Sequence, residues 1–459
     1  MLRRAIAVLV AALAVSAQGC GGDGGSGDEP ARGPLTIWSG ENQPDRARAT
    51  RANLADFTRR TGIKVELVVL GDNELVPRTA EAAKAGTLPD VIQVGMADAH
   101  TYVRDGVLDP DAAQQAVEEL GEDTFSARAL SLLTSDGNVT AVPSDGWGQL
   151  LIYRKDLFDA AGLGEPSTLE DVRRAARRLH RPGLAGITLA TAGGDGFTAE
   201  TFEHVALAAG CQLVDDAGEV NLASPECRRA FEVYVDLARN YSPGGKQDVD
   251  TTRDTYFAGR AAMILWSPFL LDAMAGLRDD AVPSCPQCKA DPAYLAENSG
   301  LVGPLVGPDG SPAQFGNITT WGIARGADPA AGRLVKYLLS DGYLRWLALS
   351  PQGKFPTRAG DGADFERYVR GWAEMESGVE RRARLSRFYS QASIDSLGEG
   401  VRNFRRWAFE DDQAALLGAL SGPQPVTKAL AAAIEGRLSP AQAARQAQAR
   451  VEELQGSMR

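Results

Sequence analysis

Strand-like and helix-like segments alternate along the first part of the chain, and this alternation limits the possible folds more than any other feature. Residues 35–38, 63–70 and 91–94 are rich in apolar and β-branched side chains, as buried strands are. Between the first two segments, the stretch Ala47–Phe57 has apolar residues at spacings of three and four, which predicts a helix with one buried face. Strand, helix and strand in this order predict a parallel α/β architecture.

The same alternation resumes after Pro143. Residues 150–153 and 187–190 are predicted strands, and the helix between them begins with a capping box at Ser167–Glu170. A chain of 459 residues is too long for one hydrophobic core. The sequence therefore predicts two α/β sections, followed by a mixed part and a largely helical C-terminal third.

The N-terminal residues have the three parts of a secretory signal. Two arginines provide a positive start, residues 5–15 form a short apolar run, and small residues precede Cys20. The apolar run is too short for a bilayer-spanning helix, which needs about 20 residues. We therefore expect residues 1–19 to be a signal peptide and residues 20–34, which are rich in glycine, to be a flexible tether.

The position of Cys20 indicates a lipid anchor. Ala17 and Gly19 resemble the bacterial lipobox, in which small residues precede a cysteine that becomes acylated, whereas Gln18 departs from that pattern. An acylated Cys20 followed by a tether would hold the folded part outside the cytoplasm, close to the cell membrane. The alternative is an ordinary cleaved signal in which the cysteine has no such role.

The cysteine count favours two disulfides. Five cysteines are present, and assigning Cys20 to the lipid leaves four. Disulfides persist outside the cytoplasm, and we favour Cys211–Cys227 and Cys285–Cys288 because both pairs are local in sequence. The Cys-x-x-Cys spacing of the second pair also occurs in thiol oxidoreductases and zinc sites. It lies in a Pro-rich stretch rather than at the start of a patterned helix, which favours the disulfide.

Charge and motif content argue against several functions. A formal net charge of −12 repels phosphate backbones, so we expect no nucleic-acid partner. His100, His180 and His204 lack metal-ligand spacing, and the chain has neither a Gly-x-Ser-x-Gly elbow nor a phosphate-binding Gly-rich loop. We therefore predict no catalytic residues, no metal and no cofactor. A secreted glycosidase, which would also combine carboxylates with tryptophans, is the enzyme alternative.

Four stretches carry motifs in a recognisable order. They are Leu88–Pro110 with LPDVI and GVLDP, Ala141–Leu163 with LIYRKDLFDAAGL, Tyr256–Met263 with YFAGRAAM, and Leu334–Arg358 with FPTR at its end. Each resembles the corresponding stretch of the family-1 extracellular solute-binding proteins, the group that contains maltose-binding protein. Arg154 departs from the family pattern, which commonly has Asn at this position.

The resemblance implies an α/β, two-lobed periplasmic-binding-protein fold (type II-like) with a ligand cleft between the lobes and a helical C-terminal part. Residues 35–142 and 301–348 would form the N-lobe, and residues 143–300 and 349–459 the C-lobe. Hinge closure would capture a mono- or oligosaccharide and present it to the permease subunits of an ABC importer, without any catalysed reaction. We expect a monomer that is lipid-anchored outside the cytoplasm.

A sugar site needs aromatic faces for the C–H side of the ring and planar polar groups for the hydroxyls. Tryptophans at predicted strand ends and polar residues in nearby loops are the ligand-binding candidates: Trp38, Asn42, Asp98, Asp145, Trp147, Trp266, Asn317 and Trp321. Any of these tryptophans, taken singly, could instead be a core residue.

Two questions stay open at the level of sequence. The cargo could also be a polyol, a glycerol phosphate or a polyamine, although the candidate loops have no obvious cluster of Arg and Lys for a phosphate. A lipoprotein of the same fold could also serve as a sensor or an interaction partner instead of in transport.

Overall fold

The computed structural model of the protein describes residues 33–71, 74–409 and 413–458. The predicted signal peptide and Cys20 lie outside these residues. The strands are β1 (Leu35–Ser39), β2 (Val65–Val69), β3 (Val91–Gly95), β4 (Thr134–Ser135), β5 (Asn138–Val139), β6 (Val142–Gly148), β7 (Leu150–Arg154), β8 (Met263–Trp266), β9 (Ser299–Val302), β10 (Leu305–Val306), β11 (Pro312–Ala313), β12 (Gly316–Ile323) and β13 (Phe355–Pro356).

The helices connect and cover these strands. They are α1 (Pro44–Thr61), α2 (Leu75–Ala85), α3 (Met96–Arg104), α4 (Pro110–Leu120), α5 (Ala127–Leu133), α6 (Lys155–Ala161), α7 (Leu169–Leu179), α8 (Gly196–Ala208), α9 (Pro225–Asp236), α10 (Val249–Phe257), α11 (Leu271–Met274), α12 (Tyr294–Glu297), α13 (Ala331–Leu338), α14 (Tyr343–Leu347), α15 (Arg367–Ala373), α16 (Gln391–Asn403), α17 (Ala414–Ala419), α18 (Pro425–Ile434) and α19 (Pro440–Met458).

The first lobe is built on a sheet with the strand order β13-β6-β12-β3-β1-β2. β1 pairs in parallel with β2 and β3, as the sequence predicts, whereas β12 runs antiparallel to both β3 and β6. β6 therefore runs in the same direction as β1 and β3. The carboxyl ends of these three strands, Ser39, Gly95 and Gly148, lie at one edge of the sheet, and open α/β sheets bind ligands beyond this edge.

The second lobe is built on the sheet β8-β7-β9, in which both neighbours run antiparallel to β7. β7 begins two residues after β6 ends, so Gln149 alone connects the two sheets at this point. At its start, β7 pairs Leu150 with Trp266 and Leu151 with Val302, which are the last residues of β8 and β9. The carboxyl ends of β8 and β9 therefore lie at the junction with the first lobe.

Local capping fixes where several helices begin. At α7 the N-cap is Thr168 rather than the predicted Ser167, because the Thr168 hydroxyl accepts the hydrogen bond from the Asp171 N–H. At α9, Ser224 is the N-cap and Pro225 occupies the first turn, where its missing N–H has no helical partner to lose.

The lobes divide the chain at points that differ from the predicted bounds. β6 and β13 pair with each other in the first-lobe sheet, although the bounds 143–300 and 349–459 assign both to the C-lobe. Tyr368 in α15 is buried in the core of the first lobe, so the chain stays there well beyond residue 348. Val379 then donates its N–H to the Leu277 carbonyl of the second lobe.

The C-terminal third is helical, as predicted. α18 and α19 pack against each other, and α19 also packs on α9 of the second lobe. α17 instead packs on α3 of the first lobe, where Gly418 lies so close to Ala97 and Thr101 that a Cβ would clash with both. Within the described ranges, no helix combines the length and apolar character needed to cross a membrane.

Both local disulfides are present, as predicted. Cys211 follows α8 and is bonded to Cys227 in the first turn of α9. Cys285 is bonded to Cys288 in a tight turn. All four cysteines are buried in the second lobe, so each disulfide joins two chain segments inside the lobe rather than at the protein surface.

Removal of the Cys211–Cys227 bridge, whose residues are 16 apart, should lower the free energy of unfolding by about 3 kcal/mol, because the unfolded chain gains entropy. The Cys285–Cys288 bridge spans a separation of 3 and should contribute about 2 kcal/mol by the same relation. Urea unfolding of the two double Cys→Ser variants measures both losses. A larger loss for the shorter loop would contradict the entropic explanation.

Candidate functional site

The two lobes meet at the carboxyl ends of their strands. We call the six residues at this junction the interlobe site: Gly40, Gly95, Trp147, Asn317, Trp266 and Phe269. The first four belong to the first lobe, where β12 places Asn317 directly opposite Trp147. The last two end β8 and follow it in the second lobe. Both tryptophans are buried, whereas the other four residues are half-buried.

Trp147 is the aromatic centre of the interlobe site. Its ring centroid lies 5.6 Å from that of Phe315, which precedes β12, and 6.3 Å from that of Phe269 in the second lobe. Trp266 is held in the same way by Phe197, at 4.6 Å between centroids. Two indole rings fixed by aromatic neighbours provide rigid apolar faces, which can pack against the C–H side of a sugar or polyol.

Asn317 places a side-chain amide beside Trp147 in the interlobe site. Its Oδ1 is buried and has no hydrogen-bond partner among the described residues. Gly95 leaves the space beside this amide open, because a Cβ at that position would lie only 3.4 Å from Asn317 Nδ2. An amide offers both donors and acceptors, so Asn317 can form hydrogen bonds with hydroxyl groups in either sense.

A buried set of charges, which we call the Lys354 cluster, lies beside the interlobe site and consists of Lys354, Glu41, Asp145 and Arg46. Lys354 Nζ is 2.6 Å from Glu41 Oε1 and 3.4 Å from Asp145 Oδ2. Arg46 Nη1 is 3.2 Å from Glu41 Oε2. Two cations therefore neutralise two carboxylates, as buried charges require.

Asp145 is fully buried, and both of its oxygens are used inside the protein. Oδ1 accepts hydrogen bonds from Trp346 Nε1 at 2.6 Å and from Ser144 Oγ at 2.8 Å, and Oδ2 faces Lys354. Neither oxygen is left for the ligand contact that the sequence predicts. The side chain instead fixes β6 and the position of the lysine.

The Lys354 cluster also sets the charge of Glu41. Burial alone would raise the pKa of Glu41, but Lys354 and Arg46 lie against its two oxygens and lower the pKa to about 2. The Glu41 N–H in turn donates to Ser39 Oγ at 3.2 Å, and Ser39 Oγ donates to Gln93 Oε1 at 2.5 Å. The loop after β1 is therefore held in place by an ionised carboxylate.

Asp98 lies in the first turn of α3 and is half-buried. Its removal from water raises its pKa to about 6, against the opposing effects of the Ser421 hydroxyl and Arg406. Arg406 pairs with Glu203 of the second lobe, with Nε 2.9 Å from Oε1, and its guanidinium carbon lies 4.5 Å from the Phe315 ring centroid. Asp98 is thus part of a charged contact between the lobes.

The other predicted residues occupy different surroundings. Trp38 is buried in the first-lobe core, and the guanidinium carbon of Arg78 lies 5.9 Å from its ring centroid. Trp321 is fully buried, 4.7 Å from Trp346 between ring centroids. Asn42 is exposed in the loop after β1. The structure therefore pairs Trp147 with Asn317, places Trp266 opposite Leu150 at the start of β7, three residues after Trp147, and places Trp321 in the core.

Four residues of the junction are not among the predicted candidates: Glu41, Arg46, Phe269 and Lys354. Two of them are adjacent in sequence to features that the prediction uses: Glu41 precedes the candidate Asn42 in the loop after β1, and Lys354 precedes the FPTR motif. Their partners are distant in sequence, and no local pattern indicates the contacts. In the part of the chain that the structure describes, no group of three or more His, Cys, Asp and Glu side chains could hold a metal ion.

Comparison with known families gives a match over about two thirds of the chain. The family model described as bacterial extracellular solute-binding protein matches residues 40–344. The “Putative ABC transporter periplasmic-binding protein YcjN” of Escherichia coli (strain K12) is 27% identical over 304 residues, which is 64% of this chain and 66% of that protein. The mannitol-binding protein of Pseudomonas aeruginosa is 30% identical over 209 residues, or 44% of this chain and 48% of that protein. The chain therefore matches less than two thirds of either relative.

A solved structure extends the similarity to almost the whole chain. Maltose-bound T. maritima MalE3 aligns with a TM-score of 0.68 at 19% identity and covers 92% of this chain and 99% of that one. At this level of identity the alignment shows the fold. The predicted two-lobed, α/β periplasmic-binding-protein fold is thereby confirmed, as is the resemblance to the solute-binding family.

Glu41→Gln should reduce the acid sensitivity of the protein. Because the folded-state pKa of about 2 lies below the ordinary 4.5, ionised Glu41 stabilises the fold above pH 4.5, and this stabilisation is lost as the pH falls from 4.5 toward 2. The contribution is about 3 kcal/mol. The unfolding free energy of the wild type, measured by urea titration at successive pH values, should fall more steeply over this range than that of Glu41→Gln.

Glu81→Gln is the matched control for this experiment, because Glu81 is exposed on α2. This variant should keep the wild-type slope. If wild type and Glu41→Gln lose stability in parallel between pH 4.5 and 2, Glu41 is not held ionised by its two cations.

Proposed function

Because the chain belongs to the bacterial extracellular solute-binding protein family, we propose that it is the substrate-binding component of an ABC importer. It captures a neutral carbohydrate or polyol between its two lobes and delivers it to a membrane permease. The observation that carries this proposal is the interlobe site, which combines two buried indole rings with an uncommitted amide at the ends of facing strands.

The charges beside the interlobe site favour a neutral cargo. In the Lys354 cluster, the two carboxylates are already matched by two cations at short distances. A phosphate ester would need uncommitted cations, and a polyamine would need uncommitted carboxylates. Mannitol and maltose, the polyol and the sugar named for similar proteins, need neither kind of charged group. Their hydroxyl groups form hydrogen bonds with amides, and their C–H faces pack on aromatic rings.

We assign different roles to the eight candidate residues. Trp147 and Trp266 would pack on the ligand, and Asn317 would bind a hydroxyl group. Trp38, Asn42 and Asp98 stay candidates at the border of the site. Asp145 and Trp321 are better explained as residues that fix the first lobe, since the former is committed to Lys354 and Trp346 and the latter is fully buried.

Capture would proceed by hinge closure. Connections between the lobes include Gln149, the segment that ends at Phe315, and the segment between Tyr368 and Val379. Gln149 and Phe315 lie next to Trp147. A ligand that contacts both lobes stabilises the closed form over the open one, and the permease then distinguishes the two forms. The family and the similar structure consist of binding proteins, and we propose that the chain likewise catalyses no reaction.

Binding can be tested by thermal unfolding in the presence of maltose, D-mannitol, glycerol 3-phosphate and spermidine. A ligand at about a hundred times its Kd adds about 2.7 kcal/mol of stability, so maltose or D-mannitol should raise the Tm by several degrees. Trp147→Ala and Trp266→Ala should each lose most of that shift.

Trp372→Ala is the control variant, because Trp372 is half-buried in α15 and packs on Phe355 rather than at the interlobe site. It should keep the shift relative to its own unliganded Tm. A shift only with glycerol 3-phosphate or spermidine would contradict the neutral cargo. A shift that survives in both Trp147→Ala and Trp266→Ala would contradict the assigned site.

We also propose that Cys20 is acylated and anchors the protein outside the cytoplasm. Cells grown with radioactive palmitate should incorporate label into the wild-type protein, whereas Cys20→Ser should remain unlabelled. The Cys211→Ser/Cys227→Ser variant serves as the control and should be labelled like the wild type, because the two cysteines that it replaces are buried in a disulfide of the wild-type protein. Label in Cys20→Ser would refute the anchor.

A further inference from the structure

Phe269 of the second lobe inserts into a recess of the first lobe. Its ring centroid lies 5.3 Å from the guanidinium carbon of Arg46 and 6.3 Å from the Trp147 ring centroid. The third wall is Gly353, where a Cβ would come within 2.5 Å of Phe269 Cδ1. Only a residue without a side chain leaves room for the ring, so this approach of the two lobes depends on glycine at position 353.

Arg278 makes a second contact between the lobes. Within its own lobe, Asp280 accepts hydrogen bonds from Nε at 2.9 Å and from Nη2 at 2.7 Å, which fixes the guanidinium group. Nη2 also donates to Gln43 Oε1 of the first lobe at 3.1 Å and lies 3.8 Å from Asp45 Oδ1. Asp272 Oδ2 lies 3.7 Å from Nη1, and the Arg278 side chain is only 7% exposed.

Both contacts join the segment after β8 to the start of α1, Phe269 through Arg46 and Arg278 through Gln43 and Asp45, and neither needs a ligand. We infer that Phe269 and Arg278 form a latch that holds the lobes closed and thereby sets how much of the unliganded protein is ready to retain its cargo. The inference deepens the proposed function, since it assigns the regulation of the same cleft.

The latch affects ligand affinity through the population of the closed form. The apparent Kd equals the intrinsic Kd divided by the fraction of protein in the competent conformation. A substitution that weakens the latch therefore raises the apparent Kd without removing any group that touches the ligand. The interaction of Arg278 with a partly buried carboxylate and an amide is worth roughly a threefold to tenfold change in the ratio of closed to open protein.

The test uses three single variants of the full-length chain. Arg278→Gln removes the charge that reaches Gln43 and Asp45, and Gly353→Ala places a Cβ where Phe269 inserts. Arg381→Gln is the matched control, because Arg381 pairs with Asp279 and donates to the Gly276 carbonyl, both in the second lobe. It lies beside the same loop, so it reports any general disturbance of that loop.

The first measurement is made without ligand, by electron spin resonance distances between spin labels at Glu81→Cys and Glu232→Cys, one exposed site on each lobe. The background also carries Cys20→Ser, so that the two introduced cysteines are the sites of labelling. The other four cysteines are bonded in disulfides and do not react with the label. Arg278→Gln and Gly353→Ala should reduce the ratio of short-distance to long-distance populations about threefold to tenfold, and Arg381→Gln should match the wild type. Unchanged distances in Arg278→Gln and Gly353→Ala would overturn the latch.

The second measurement is calorimetric titration with maltose and with D-mannitol. For whichever compound binds, the Kd of Arg278→Gln should rise by the same factor by which the short-distance population falls, while Arg381→Gln keeps the wild-type Kd. A Kd that is unchanged while the population falls would overturn the link to affinity. If neither compound binds the wild type, the proposed cargo is wrong, and the spin-label distances still decide the latch.

Discussion

Lys354 is buried between two carboxylates, and the shape of the first-lobe edge depends on this arrangement. Its ammonium group joins Glu41 in the loop after β1 to Asp145 in β6, and the ring of Trp346 lies 4.1 Å from it. Without the lysine, two carboxylates would remain in surroundings that water does not reach, which is far more costly than an exposed pair. The cluster therefore ties together segments that are hundreds of residues apart in sequence and holds the loop before β13 against the first-lobe sheet, where β13 pairs with β6.

The same cluster determines what the cleft can recognise. Its charges satisfy one another, so the polar and aromatic groups of the interlobe site itself are uncharged: two indole rings, a phenyl ring and the amide of Asn317. In the function that we propose, specificity for a neutral, hydroxyl-rich ligand would come from shape and from hydrogen bonds of ordinary strength rather than from an ion pair. A single substitution in the cluster would change the net charge beside the cleft, so the cluster protects the neutral character of the site as well as its geometry.

The sequence is sufficient to predict the fold and the ends of the strands, but it does not predict the contacts between distant segments. Alternating strands and helices predict the parallel β1–β3 order, and local spacing predicts both disulfides. Strand ends are visible in sequence, and Trp147 and Trp266 do lie at the ends of β6 and β8. Asp145 was assigned to the ligand because nothing near it in sequence reveals Trp346 or Lys354. Trp321 differs from Trp147 in its position along the sheet: it pairs with Val142, at the opposite end of β6, and is fully buried, and this depth depends on packing that a single sequence does not specify.

In the proposed mechanism, closure and recognition rest largely on different residues, which meet where Phe269 packs on Trp147. Trp147, Trp266 and Asn317 meet the space between the lobes, whereas Phe269 and Arg278 bind the first lobe itself. If the same side chains did both, any change of cargo would also change the balance between open and closed forms. With the two tasks separated, the closed population can be adjusted at Arg278 or Gly353 while the ligand contacts are kept. Affinity is then the product of two independent terms, the intrinsic fit of the ligand and the fraction of the protein that is closed.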